Sequence, residues 1–339
     1  MATVVLADNG LAFDGLTLDE RPLGGAETAF VALAEALSAR GHDVRAFARG
    51  ARRLRHRGVA WAPVEAGLPD GADLFVANRG SRVLDLCPDA RRVAFWIHNP
   101  ARYLLKWRYQ WQLARRRPAL VFAGPWHCAT YPGWAMGGRR VAVPLGVSAP
   151  FLGFAERPPP PPIAVFTSNP LRGLDRVLDL WTEAVRPSVP EAVLRVYGGA
   201  AVYADAGLAR RMAPILERAA ATPGVQLCAP VPKAALAAAL ASARVFVYGG
   251  DVNETFCLAA AEAQAVGLPA VVGRVGALSE RVRDGVTGAV VDGDRDFAAA
   301  TVALLGDDAL WRARHRAALA ASADAGWDRP AAAFEEMIG

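Results

Sequence analysis

The feature that most constrains the fold is one order of elements that occurs at the start of each half of the chain. In the first half, residues 3–7 form a short apolar run that is typical of a buried parallel strand. A glycine-rich loop follows, and then apolar residues recur at helical spacing up to Gly41, a helix-ending residue. A further apolar run at residues 44–47 predicts the next strand.

The second half repeats this order. Residues 163–167 are apolar, residues 168–173 read as a loop, and a helical pattern then leads to a strand at residues 193–197. A stiff segment, Arg157 followed by the prolines of residues 158–162, lies between the halves. Alternating strands and helices predict an α/β chain of two doubly wound domains that face each other across a cleft. Ligands of such sheets bind at the carboxyl ends of the strands.

Length and composition fit this organisation. A chain of 339 residues, 53% of them hydrophobic, exceeds what one core usually holds. We predict a domain over residues 1–152, a second over 153–324, and a terminal helix over 325–339 that packs back toward the first domain. The amino terminus reads as a strand rather than a signal peptide, so we expect a cytoplasmic protein. The four cysteines show no C-x-x-C spacing, which argues against structural zinc.

Charge is distributed unevenly between the halves. Residues 1–152 carry 20 Lys or Arg against 12 Asp or Glu, a net of +8, whereas residues 153–339 carry 18 against 21, a net of −3. This asymmetry predicts that the first half faces an anionic partner or surface. Residues 102–117 concentrate six cations and four aromatic residues. Such a segment suits a membrane interface, a stacking surface for nucleic acid, or a helix with a solvated basic face.

The strongest chemical signal is a pair of glutamates, Glu254 and Glu262, in residues 249–269. We predict a strand at residues 245–248 and a helix at 255–266, with Glu254 at its N-terminus and Glu262 about two turns further along the same face. A helix N-terminus can hold a phosphate or the polar edge of a sugar. The plain alternative is that Glu254 caps the helix and Glu262 is solvated, but an unpaired carboxylate within an apolar helix is costly.

At this point the chain resembles glycosyltransferase family 4, the retaining nucleotide-sugar transferases of GT-B fold, with two Rossmann-like domains. The resemblance covers nearly the whole length and rests on the order and spacing of its pieces. These are Gly24-Gly-Ala-Glu27, Trp96-Ile-His98, Val143-Pro-Leu-Gly-Val147, the loop at residues 168–174, Val231-Pro232, the two glutamates, and Gly285-Val-Thr-Gly288.

The resemblance implies roles for the residues of the second half. Glu254 would bind hydroxyls of the donor sugar, and Glu262 the nucleotide ribose. The backbone amides of four residues would face the sugar and diphosphate, namely Thr255, Phe256, Cys257 and Leu258. The main chain of Val231 would contact the base, and Ser168 and Asn169 would belong to the donor-binding loop.

This sequence departs from the family pattern in the basic residues expected to bind the diphosphate. The family usually supplies an Arg and a Lys around this loop, but residues 163–171 hold neither, and Arg172 occupies the Lys position. Arg172 is therefore the candidate cation for the leaving diphosphate. Backbone N–H groups or another Arg must replace the missing charge, or turnover should be slow.

In the first half, Gly24 and Gly25 would let backbone N–H groups approach a phosphate, with the following helix adding its dipole. His98 follows a predicted strand at residues 93–97, and in the family a His here lies near the donor sugar and the acceptor hydroxyl. We do not assign it as a general base, because in this family the leaving phosphate accepts the acceptor proton. Asp292, Asp294 and Asp296 resemble a metal motif but precede a predicted helix, where Asp is a common cap. We expect neither a metal nor another cofactor.

The resemblance implies a retaining glycosyltransferase that moves a sugar from a UDP- or GDP-type donor to a glycan, glycolipid or polysaccharide precursor, and we expect it to need no metal. The acceptor would be a glycan or lipid-linked, and residues 102–117 would give peripheral contact with the inner face of the membrane. We expect no nucleic-acid partner. Two alternatives remain: another GT-B enzyme, such as a nucleotide-sugar epimerase or inverting transferase, or an idle relative that binds membrane or nucleic acid.

Overall fold

The structure, a computed structural model, describes residues 1–199 and 206–339 and divides into two compact units. Unit 1 comprises residues 1–146 and 326–339, and unit 2 comprises residues 147–325. The chain therefore passes from one unit to the other twice. The first division falls after Gly146 rather than after residue 152, because Val147 and Phe151 pack in the core of unit 2.

Unit 1 is built on one sheet whose strand order is β3-β4-β2-β1-β5-β6-β7-β8. Its strands are parallel except for the antiparallel pair β3 and β4. The strands are β1 (Thr3–Asp8), β2 (Asp43–Ala48), β3 (Leu54–His56), β4 (Val59–Pro63), β5 (Leu74–Asn78), β6 (Arg92–Trp96), β7 (Ala119–Phe122) and β8 (Arg140–Ala142). The helices are α1 (Thr17–Glu20), α2 (Gly25–Ala39), α3 (Trp107–Arg116), α4 (Pro125–Ala129) and α13 (Asp328–Glu335).

The terminal helix α13 completes the core of unit 1. Its Phe334 is fully buried, with its ring centroid 5.3 Å from that of Trp96, and Trp327 lies 6.3 Å from the same ring. Burial of one such aromatic side chain contributes about 1.5–3 kcal/mol. Glu335 also accepts hydrogen bonds from Arg40 and pairs with His42. Residues distant in sequence thus hold helix α13 on unit 1.

Unit 2 contains a parallel sheet of order β11-β10-β9-β12-β13-β14. Its strands are β9 (Ile163–Phe166), β10 (Val193–Tyr197), β11 (Val225–Cys228), β12 (Val245–Tyr248), β13 (Ala270–Gly273) and β14 (Gly288–Val291). The helices are α5 (Leu174–Leu180), which continues through a π-helical turn (Trp181–Val185) into α6 (Arg186–Ser188), α7 (Ala206–Ala221), α8 (Lys233–Ala241), α9 (Leu258–Ala265), α10 (Leu278–Arg281), α11 (Asp294–Gly306) and α12 (Asp308–Ala321).

The predicted α/β class with two parallel, doubly wound sheets is confirmed. The proline segment expected between the domains lies within unit 2, where Arg157 donates hydrogen bonds to His315 and to the carbonyl of Val266. Gly293, not an aspartate, caps helix α11, and Asp294 begins the helix and pairs with Arg176.

Candidate functional site

Glu254 is fixed at the carboxyl end of strand β12 by contacts to both of its carboxylate oxygens. Its Oε2 accepts hydrogen bonds from Tyr248 Oη at 2.9 Å and from Arg172 Nη1 at 3.2 Å. Its Oε1 accepts from the backbone N–H of Cys257 at 3.0 Å. The carbonyl of Glu254 accepts from the N–H of Ala277 at 2.9 Å. The side chain is buried, and its carboxylate therefore holds one orientation.

The prediction that the helix begins at residue 255 is wrong. Helix α9 begins at Leu258, because Cys257 adopts a left-handed conformation with φ of 65° and interrupts helical geometry. Glu254 consequently lies on the loop before the helix, where its carboxylate accepts a hydrogen bond from the Cys257 N–H. Glu262 lies on the helix, so the argument that eight-residue spacing puts both carboxylates on one helix face does not apply.

Arg172 comes from the loop after strand β9, which approaches the loop after β12. A Cβ on Gly173, where φ is 85°, would lie 3.3 Å from the carbonyl oxygen of Gly250, so the approach needs glycine. Ser168, on the same loop, hydrogen-bonds to Tyr248. Burial, together with the charge of Glu254, raises the pKa of Tyr248, so its hydroxyl remains a donor.

Glu262 has a partner that the sequence did not suggest. The Nζ of Lys233 lies 2.6 Å from Glu262 Oε1, and both side chains are largely buried. Lys233 begins helix α8, immediately after Val231 and Pro232, and lies over the ring of Phe151 at 5.6 Å. The two glutamates thus belong to separate sets of contacts, one with Arg172 and the other with Lys233.

The remaining predicted residues of unit 2 lie on these loops. Asn169 Oδ1 accepts a hydrogen bond from the N–H of Leu171 and shapes its own loop. The ring of Phe256 is buried against the guanidinium of Arg281 at 4.2 Å. Burial lowers the pKa of Arg281, so this cation lies beside the loop in a weakly solvated position. Burial likewise raises the pKa of the Cys257 thiol, which is therefore unsuited to act as a nucleophile.

In unit 1, polar side chains meet at the carboxyl ends of β1 and β5, close to His98. The amide of Asn78 donates to Asp8 Oδ2, and its Oδ1 lies 2.7 Å from His98 Nε2. Because Oδ1 can only accept, His98 carries its proton on Nε2. Burial, with further contributions from Arg79 and His127, lowers the pKa of His98 well below 6.5, so the ring is neutral.

Arg79 joins two buried carboxylates of unit 1. It adopts φ of 61°, donates to Asp8 from Nε at 3.0 Å and to Glu27 from Nη1 at 2.8 Å. The carboxylate of Glu27 lies against the glycine loop, since a Cβ on Gly24 would be 2.5 Å from Glu27 Oε2. Gly24 caps helix α2, whose first residue is Gly25. The glycine loop thus adjoins a cluster of two carboxylates and one guanidinium.

Within residues 1–199 and 206–339, no three His, Cys, Asp or Glu side chains are grouped so that they could hold a metal ion. Over the same residues, no helix has the length and apolar character needed to cross a bilayer.

Residues 161–307, most of unit 2, match the family model described as Glycosyl transferases group 1. Among curated proteins, the D-inositol 3-phosphate glycosyltransferase of Xylanimonas cellulosilytica is 51% identical over 88 residues, which are 25% of this chain and 21% of that protein. The chain thus matches only about a fifth of the length of that relative.

Among solved structures, sucrose-phosphate synthase from Thermosynechococcus elongatus superposes with a TM-score of 0.77, covering 99% of this chain and 98% of that one at 16% identity. Anabaena HepE in complex with UDP-glucose gives 0.73, covering 100% and 98% at 13% identity. The chain has the GT-B fold. At these identities the likeness concerns the architecture, which the GT-B chain shares over its full length.

Sequence reasoning missed the side chains that hold the predicted ones. Asp8 and Asn78 end buried strands, a position where polar residues gather at the sheet edge that binds ligands. Glu27 belongs to the motif Gly24-Gly-Ala-Glu27, in which the sequence assigns a role only to the two glycines. Lys233 is one of two lysines in a chain that otherwise uses arginine, and that rarity was the available signal.

Proposed function

We propose that the GT-B chain is a retaining glycosyltransferase that moves a sugar from a nucleotide-diphosphate donor to an acceptor hydroxyl of a glycan, glycolipid or polysaccharide precursor. The observation that carries this proposal is the buried Glu254 carboxylate at the carboxyl end of β12, oriented by Tyr248, Arg172 and a backbone N–H. An oriented carboxylate beside a cation suits vicinal sugar hydroxyls next to a phosphate. The match of unit 2 to a glycosyl transferase model supports it.

Glu254 binds the donor sugar in this proposal. Three described donors engage its carboxylate, which has about four acceptor positions, so acceptor capacity remains for a hydroxyl. The amides of residues 255–258 complete the sugar and diphosphate site. The N–H of Cys257 already donates to Glu254, so the phosphate would draw on the other amides or compete for this one.

Arg172 neutralises the leaving diphosphate. Two unit charges 4 Å apart interact by about 4 kcal/mol at an effective dielectric of 20, before solvent screening of this half-exposed side chain. Glu254 offsets part of this charge in the structure without ligand. A donor sugar that hydrogen-bonds to Glu254 would let Arg172 turn toward the phosphates.

Glu262 binds the nucleotide ribose, and Lys233 positions it. The ammonium engages Oε1, which leaves Oε2 as the acceptor for ribose hydroxyls. Lys233 follows Val231, whose main chain would meet the base. The ion pair also offsets the cost of burying this carboxylate, whose oxygens can accept hydrogen bonds from the ribose hydroxyls.

The predicted residues of unit 1 retain the roles that the resemblance implies. Gly24 and Gly25 would offer amides to the diphosphate, and His98 would border the reacting centre. A neutral His98 with its proton on Nε2 is unsuited to transfer a proton at neutral pH as an acid. The proposal therefore relies on charge stabilisation at the leaving phosphate, which takes the acceptor proton on the face where the sugar is attacked. It needs no metal and no other cofactor.

A panel of UDP, GDP, ADP and their glucose, mannose and N-acetylglucosamine conjugates tests donor binding by thermal shift, since a tight ligand raises the melting temperature. Donor hydrolysis and the anomer of any glycoside formed then test the reaction. A product of inverted configuration would show an inverting transferase, and a released 2-epimer would show an epimerase.

One observation favours a second candidate, a relative without transferase activity that binds an anionic surface. Arg172, the candidate cation for the diphosphate, forms an ion pair with Glu254, which neutralises part of the charge that a diphosphate would need. If no nucleotide in the panel shifts the melting temperature while anionic vesicles bind the chain, this second candidate replaces the transferase.

A further inference from the structure

Three tryptophans and a methionine of unit 1 are exposed on two adjacent segments. Trp107 is 82% exposed, Trp111 62%, Trp134 73% and Met136 52%. Trp107 and Trp111 lie four residues apart on helix α3 and so share one face, while Leu113 is buried on the opposite side. Large apolar side chains scattered singly on a surface need no explanation, but a group of four marks an interaction site.

Hydrogen bonds hold the second segment against helix α3. Gln110 Nε2 donates to Tyr131 Oη at 2.8 Å, and the N–H of Met136 donates to Gln110 Oε1 at 2.9 Å. Tyr131 Oη in turn donates to the carbonyl of Met136 at 2.6 Å. Since Gln110 precedes Trp111, the loop that carries Trp134 and Met136 is fixed beside the exposed face of the helix.

The same region carries positive charge without acidic residues in its sequence. Residues 90–155 contain ten Arg or Lys and no Asp or Glu. Arg115 is paired with Asp85 at 2.6 Å, but among the residues that the structure describes, Lys106 and Arg108 form no ion pair. We call Lys106, Trp107, Arg108, Trp111, Trp134 and Met136 the aromatic–basic surface.

We infer that the aromatic–basic surface docks unit 1 on an anionic lipid leaflet. Indole rings favour the headgroup depth of a bilayer, where the ring is in apolar surroundings and its N–H remains hydrated. Lys106 and Arg108 would meet lipid phosphates from the same face. The structure extends the basic stretch at residues 102–117 by Trp134 and Met136, which a linear reading separates from it.

The observations favour lipid over nucleic acid. A base needs an open ring face on which to stack. The guanidinium of Arg115 lies 5.3 Å over the ring of Trp111, and Arg108 lies 5.0 Å over Tyr109, so a cation occupies one face of each of these two rings. Met136 adds apolar volume that a membrane interface accepts and that a base does not stack on.

The test is flotation of the full chain with vesicles of phosphatidylcholine alone or mixed equally with phosphatidylglycerol. We expect binding to the anionic vesicles that weakens with salt and is at least tenfold weaker on neutral vesicles. Lys106→Ser/Arg108→Ser should weaken anionic binding by about 25-fold, about fivefold for each charge. The matched control, Arg210→Ser/Arg211→Ser on exposed positions of helix α7, removes equal charge and should bind as the wild type does.

A second variant tests whether these tryptophans contact the acyl chains. Trp107→Phe/Trp111→Phe/Trp134→Phe keeps apolar side chains, so it should still float with vesicles but lose most quenching of tryptophan fluorescence by lipids brominated on their acyl chains. Equal loss in the helix α7 control, unchanged quenching in the triple variant, preferential binding of a single-stranded oligonucleotide, or a dimer that buries these tryptophans would each overturn the proposal. These assays contain no donor nucleotide, so their result is independent of the transferase assignment.

Discussion

Lys233 Nζ lies 2.6 Å from Oε1 of Glu262, and this ion pair is largely buried between helices α8 and α9. Neither residue has another described ion partner within residues 1–199 and 206–339, so each neutralises the other. Removing one member of such a buried pair costs more stability than replacing both, because a single deletion leaves one buried charge without solvent or a partner.

Lys233→Met should therefore reduce the free energy of unfolding by about 3–5 kcal/mol, and the double variant Lys233→Met/Glu262→Gln should recover most of that loss. Donor binding should remain weak in the double variant, since the ribose carboxylate is gone. Urea unfolding and titration calorimetry with the nucleoside diphosphate that binds wild type measure both quantities.

The 2′-deoxy form of that nucleoside diphosphate is the sharper probe. Wild type should bind it at least tenfold more weakly than the ribose form, because the Glu262 carboxylate no longer receives a hydrogen bond from the 2′-hydroxyl. The double variant should bind both forms equally. Unchanged discrimination in the double variant would assign Lys233 and Glu262 to stability alone.

Glu254→Gln should lower kcat for glycosyl transfer by a factor on the order of 100 or more, since the amide keeps the shape but removes the charge near the sugar. Tyr248→Phe removes one hydrogen bond to Glu254 and should cost about 2–10-fold. The combined variant should be no slower than Glu254→Gln, because Tyr248 acts through that carboxylate. Additive losses in initial-rate measurements would contradict this coupling.

Arg79→Met should destabilise unit 1 by about 3–5 kcal/mol, because it leaves the buried carboxylates of Asp8 and Glu27 without their guanidinium. Arg82→Met is the matched control, since Arg82 is exposed nearby. Chemical denaturation monitored by circular dichroism distinguishes the two variants. Equal stabilities would mean that burial of these carboxylates does not depend on Arg79.

Acid should weaken unit 1 through His127. Burial lowers the pKa of His127 from 6.5 to about 4, and its ring is held by the N–H of Ala123 and the carbonyl of Asn99. The unfolded chain therefore binds the proton more readily, and stability is lost as pH falls below about 6.5. Between pH 7 and pH 5 this residue should account for about 2 kcal/mol.

His127→Gln removes that titration. Its free energy of unfolding should fall by about 2 kcal/mol less than that of wild type between the same two pH values. His98 and His315 also have lowered pKa values, so some acid sensitivity should persist. An unchanged pH dependence in the variant would show that His127 is not protonated on unfolding.

Most of the architecture followed from periodicity, since the strands at residues 193–197 and 245–248 lie where the apolar runs predict them. The start of helix α9 did not, because the left-handed Cys257 is set by its contacts rather than by local propensity. The site partners were also hidden: Asp8 and Asn78 lie 70 residues apart in sequence and meet only through adjacent parallel strands. Single-sequence patterns predict at which edge of a sheet polar side chains gather, but not which of those side chains pair there.

Helix α13 has a consequence for how the polypeptide is made. Unit 2 is one continuous stretch of chain, whereas unit 1 lacks Trp327 and Phe334 until the residues that follow unit 2 have emerged from the ribosome. Until then, the surface around Trp96 that these two side chains cover stays exposed in the nascent first half. In this chain the domain begun first is the one finished last.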